Sequence, residues 1–114
     1  MTDLMLTGVA LIGAHCLFDY AGQGDFMSKA KNRSAPVPGV PWQTVLAAHA
    51  AIHGAAVALI TGLWWLFLVE AVAHFVTDDL KCRGRLTFNQ DQAIHLGCKA
   101  VWLLIAALSK GPTQ

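Results

Sequence analysis

Charge is what this chain has least of. Asp, Glu, Lys and Arg make up only 13% of its 114 residues, about half the share usual in soluble domains. Against 55% hydrophobic residues, that leaves too little polar surface to cover a water-exposed globule of this size. Lipid is the expected solvent. The net charge of +1 supplies no field for a nucleic-acid partner. Cysteine is also scarce. Cys16, Cys82 and Cys98 make an odd count without a CxxC spacing, which argues against a disulfide framework and against a zinc ribbon. They are expected as small buried side chains. No basic region precedes the first apolar run and no small-residue cleavage site follows it. That run is therefore expected to stay as a span and not leave as a signal peptide.

What is there is apolar sequence in four runs: residues 4–20, 42–60, 63–80 and 91–108. The middle two form one block, too long for a single span, which Ile60-Thr61-Gly62 divides because Gly weakens a helix locally. Each run holds roughly 17 to 19 residues, or about 25 to 28 Å as helix, a little short of a ~30 Å hydrocarbon core. A soluble bundle would need a polar outer stripe on every helix. Between Thr44 and Asp78 the polar residues make one narrow seam instead. The predicted fold is all-α: a single domain of four transmembrane helices, bundled as two helical-hairpin repeats.

Orientation follows from the loops. Lys29, Lys31 and Arg33 lie in one, and Lys81, Arg83 and Arg85 in another, while the connection near Gly62 has no charge. Both basic loops belong on one side of a four-span chain, predicted to be cytoplasmic, with both termini outside. Trp42, Trp64, Trp65 and Trp102 suit interfacial belts or packing.

The histidines carry the chemistry. In LAAHAAIHGAAVALI, His49 and His53 stand four apart in apolar sequence, so both lie on one helix face. The same spacing joins His15 to Asp19, His74 to Asp78 and Asp91 to His95. Every predicted span thus carries one pair, and each pair lies near a basic loop. HxxxD, basic loop, then a pair opening the next helix occurs twice, which implies a pseudo-twofold axis along the membrane normal. Ionisable groups in hydrocarbon cost several kcal/mol each unless they pair or coordinate. Eight such donors facing a bundle core suit a divalent metal centre of two ions, with zinc first and manganese or iron as alternatives. Gln23 and Gln92 are candidate outer partners of the ligands, and Glu70 is a candidate for orienting His74. Lys29, Arg33, Lys81 and Arg83 are candidates for meeting a phosphate, though topology alone explains them.

On the stretches HCLFDYAGQGDFMSKAK, HAAIH, HFVTDDLK and FNQDQAIH, which cover nearly the whole chain in order, the sequence resembles small bacterial and phage membrane proteins grouped as domain-of-unknown-function 3307. The resemblance implies a multi-span protein of a bacterial inner membrane and no particular reaction. In style, though not position by position, the chain is also similar to membrane-bound metal-dependent hydrolases.

The expected activity is metal-assisted hydrolysis of a phosphoester or phosphoanhydride in a lipid-linked substrate. His15, Asp19, His49, His53, His74, Asp78, Asp91 and His95 are the expected ligands, with Asp19 or Asp78 as the catalytic carboxylate. The expected partner is a membrane lipid, and self-association is left open. Two rivals use the same residues. One is a metal-ion carrier or sensor; the other is a structural or phage-interaction protein stapled by a metal or, less naturally, a haem.

Overall fold

A computed structural model describes residues 2–110. Among them the secondary structure is entirely helical: α1 (Thr2–Cys16), continued by a π-turn (Leu17–Ala21), then α2 (Asp25–Ala30), α3 (Trp42–Thr61), α4 (Leu66–Cys82) and α5 (Phe88–Ser109). Local sequence accounts for the boundaries. Gly62 ends α3 in the left-handed region, at φ 74°, where its N–H bonds to the Ala58 carbonyl, as a Cβ-free residue permits. Thr87 opens α5 through a reciprocal cap: its hydroxyl accepts from the Gln90 N–H, and the Gln90 side chain accepts from the Thr87 N–H. That cap starts the helix three residues before the sequence-based boundary at residue 91.

α1 packs on α3 and α5, α3 on α4, and α4 on α5. The α3–α4 contact is especially close. A Cβ at Gly54 would lie 2.5 Å from the Phe67 carbonyl oxygen, so only glycine lets the two backbones meet there. The molecule measures 53 by 24 by 21 Å, long enough to cross a bilayer and its head groups, about 40–45 Å together.

The distribution of polarity is inverted. Among the described residues, eight hydrophobic ones are buried against fourteen polar or charged ones. Met5, Leu6, Val9, Leu59, Val72 and Leu108 lie bare on the outside. In water this would be costly on both counts; in lipid it is the favourable arrangement. Three segments are long and apolar enough to cross a membrane: Asp3–Ala21, Trp42–Thr61 and Phe88–Ser109. The fourth expected span does not meet that standard. α4 has 17 residues and includes Glu70, Asp78, Asp79 and Lys81.

Two further expectations need correction. The first basic loop is more than a connector, since it folds into α2 and buries Ala30 and Lys31. The cysteines are free but not buried: Cys16 is exposed, and Cys82 and Cys98 are half-buried.

Candidate metal centre

All eight histidine and aspartate residues of the four pairs are buried. Helical spacing explains why each pair shares a face, and helix packing brings the pairs together. Asp19 comes from the π-turn, the kind of irregularity often found at functional positions.

The centre is built around Asp19. Its Oδ1 lies 3.0 Å from His49 Nε2, 3.3 Å from His53 Nε2 and 3.5 Å from His74 Nε2. His49 Nε2 and His74 Nε2 are themselves 3.3 Å apart. A tetrahedral zinc with bonds of about 2.0–2.1 Å holds its ligand atoms about 3.3–3.4 Å from one another. These four separations are close to that spacing, and all four atoms lie within 4.8 Å of one another, so the group could hold one ion. His53 Nε2 is buried without a hydrogen-bond partner, a cost that a metal bond would remove.

Two smaller groups adjoin the first. His74, Asp78 and His95 form one, and Asp19, Asp91 and His95 form the other. His95 Nε2 lies 3.4 Å from Asp78 Oδ1 and 3.3 Å from Asp91 Oδ1. His15 stands outside all three groups. Gln92 explains its position: its amide nitrogen donates to Asp19 Oδ2 at 2.9 Å and to Asp91 Oδ2 at 3.1 Å. Its oxygen is thereby left to accept from His15 Nε2 at 2.8 Å. Gln92 thus ties two carboxylates and one imidazole together. Gln23 reaches only the backbone carbonyl of Asp19.

Glu70 accepts three hydrogen bonds, from His74 Nδ1 at 3.3 Å, from Lys99 Nζ, and from Trp102 Nε1 at 2.6 Å. A proton on His74 Nδ1 leaves its Nε2 lone pair facing Asp19, the tautomer a metal ligand needs. Sequence reasoning missed Lys99, although it continues the Asp91–His95 stripe by four more residues. Lys31 was assigned to topology alone, yet it is 3% exposed and donates to Asp78 Oδ2 at 2.7 Å. Only folding of the loop brings it there.

The other basic residues divide by what they touch. Arg33 makes a two-point bond to Asp79, at 2.7 and 2.6 Å, and stacks over Trp42. Arg83 approaches the same carboxylate at 3.5 Å. Lys29 pairs with exposed Asp25. Lys81 is different: it lies 3.7 Å from Asp78 and 3.6 Å from Asp91, beyond hydrogen-bond distance of either.

The centre meets a cavity at the loop end. Its volume is about 320 Å³, with Asp19, Gln92, Lys31, Lys81, Ser28 and Phe88 among its walls. Toward the opposite end, beyond Glu70 and Lys99, Leu11, Val57, Leu66 and Trp102 close the centre with an apolar cluster. No family model, curated protein or solved structure matches this chain.

Proposed function

We propose that the chain is a metal-dependent hydrolase of a bacterial cytoplasmic membrane, cleaving a phosphoester or phosphoanhydride of a lipid-linked substrate at the loop-side surface. In this reading α1, α3, α4 and α5 form a four-span bundle of two related hairpins. The basic loops are cytoplasmic and both termini lie outside. The single observation carrying it is the meeting of a metal-shaped His/Asp group with a cation-bearing cavity at Asp19.

His49, His53 and His74 hold the ion, and Asp19 faces both it and the cavity. When bound, a divalent ion would supply Lewis acidity, making a water easier to deprotonate and offsetting charge on a phosphoryl oxygen. Asp19 accepts a proton from the attacking water as that oxygen bonds to phosphorus. The bond from phosphorus to the leaving oxygen breaks, and that oxygen takes up a proton. The products are an alcohol and phosphate, or two phosphates from an anhydride. Charge favours one resident ion. Asp19, Asp78 and Asp91 bring three negative charges, while Lys31 and Lys81 beside them return two. One dication leaves the centre close to neutral, and a second fits best when an anionic substrate accompanies it.

The apolar closure beyond Glu70 argues against a carrier, which needs a route to both sides. Close packing of the imidazoles, with His53–His74 rings at 3.7 Å and His74–His95 rings at 4.0 Å, leaves no slot for a haem between them. One rival has an observation behind it. Four protein ligands can close a tetrahedral site, as structural zinc sites do, and an ion so enclosed would staple the helices without chemistry. Asp19→Asn separates the two. For an enzyme, three histidines retain most of the metal while phosphate release from lipid phosphates and diphosphates is lost. No release by the zinc- or manganese-loaded wild type would leave the staple.

A further inference from the structure

We propose that the loop-end cavity seats a single terminal phosphate carried by a membrane lipid, held between Lys31 and Lys81 and admitted from the bilayer past Tyr20 and Phe88. This rests on the hydrolase reading for the fate of the lipid, but not for its binding.

The first argument is which cations are free to meet an anion. Arg33 is bound through Nε and Nη2 to Asp79 and is not among the cavity's walls. Lys29 is 70% exposed and paired outside the cavity. Lys31 spends one of three ammonium protons on Asp78, and Lys81 makes no hydrogen bond while lining the cavity at 25% exposure. Several ammonium protons therefore remain for phosphoryl oxygens. Ser28 and Asn32 add polar groups to the same wall. Asp19 forms part of the floor, so an anion is repelled there until a cation occupies the histidine group. Metal and phosphate should strengthen each other's binding.

The second argument is size. About 320 Å³ lies near the bottom of the range for small-molecule sites, roughly 300–1,000 Å³. A phosphate with its waters fits, and choice among head groups falls to charge: Lys31 and Lys81 attract a terminal phosphate and repel a choline cation.

The third argument is the cavity's border. Phe88 is a wall of the cavity yet 54% exposed, and Tyr20 beside it is 52% exposed. Their rings meet edge to face, with centroids 6.0 Å apart, and Lys81 Nζ sits 5.8 Å from the Phe88 centroid. Exposed aromatics at a helix end belong to the membrane–water interface, where the glycerol and upper chains of a lipid lie. The phosphate of such a lipid would reach Lys81 while its chains stay outside.

Zinc-loaded protein in detergent should be titrated with diacylglycerol phosphate, a diacyl phosphocholine lipid and water-soluble glycerol phosphate. Affinity is read from the shift in melting temperature, and turnover from released phosphate. Diacylglycerol phosphate should bind at least ten-fold tighter than either competitor. Lys81→Gln should weaken it about ten-fold, Lys81→Arg should restore it, and Lys29→Gln should change nothing. Equal binding of the choline lipid, equal binding of glycerol phosphate, or wild-type affinity in Lys81→Gln would each overturn the assignment. Lysine-dependent binding without phosphate release would leave the cavity assigned and defeat the hydrolase reading for phosphomonoester lipids.

Discussion

Glu70 Oε1 lies 3.3 Å from His74 Nδ1, and the proton between them decides what His74 presents on its other side. With that proton in place, His74 Nε2 turns a lone pair toward Asp19 Oδ1 at 3.5 Å and His49 Nε2 at 3.3 Å. Glu70→Gln keeps the size of the side chain but weakens this hold on the ring. Metal affinity should fall about 10–100-fold, measured by competition with a chelator. The variant also leaves Lys99 buried without a counter-charge, which destabilises. Combining it with Lys99→Met removes both charges, so melting temperature should recover while metal affinity stays low. Recovery of both together would reduce Glu70 to a packing role.

Metal removal should itself loosen the protein. An ion present at one hundred times its dissociation constant stabilises by about 2.7 kcal/mol, so chelation should lower the melting temperature clearly. His53→Ala should show most of its destabilisation only against the metal-loaded wild type. If chelated wild type and chelated variant differ as much as the loaded pair do, His53 is not a ligand.

Two glycines should respond in opposite directions. Gly54→Ala places a methyl group 2.5 Å from the Phe67 carbonyl oxygen, so α3 and α4 must separate at about 1–3 kcal/mol. His53 adjoins that contact, and metal affinity should fall with stability. Gly97 has nothing within 4 Å of its would-be Cβ, and Gly97→Ala should stabilise α5 by about 0.5–1 kcal/mol. Thermal denaturation of both variants checks the pair; a neutral Gly54→Ala would refute the close packing.

The topology has its own test. Cysteines introduced at Ser34 and at Trp64, in an otherwise cysteine-free chain, should react with an impermeant maleimide from opposite faces of the membrane. Reaction of both from one face would reject the four-span arrangement.

The pairs were legible in the sequence because a four-residue interval has one meaning on a helix, and His49 with His53 in an apolar run announces a buried seam. The same rule extended by one step reaches Lys99 from His95. The Thr87–Gln90 cap was likewise readable, and it sets the start of α5 earlier than hydropathy does. Other features had no local sign. Lys31 reaches Asp78 across 47 positions, and Gln92 links His15 to Asp19 and Asp91 only because α1 and α5 pack together. The π-turn at Leu17–Ala21 leaves no periodic trace in five residues. Hydropathy therefore located the segments, while the cavity's charges came from contacts between segments.

The uneven composition of the helices bears on how the chain comes to sit in a membrane. α4 carries Glu70, Asp78, Asp79 and Lys81 within 17 residues, and charged side chains oppose insertion into hydrocarbon. Released singly from a translocation channel, α4 would favour water. Its partner α3 is apolar, leads it in the chain, and is joined to it through the Gly62 turn with close contact at Gly54. The two are best delivered side by side as a preformed hairpin, with α1 and α5 supplying the remaining shelter. In the four-span reading, lateral release into lipid is then a property of the pair and not of the acidic helix alone.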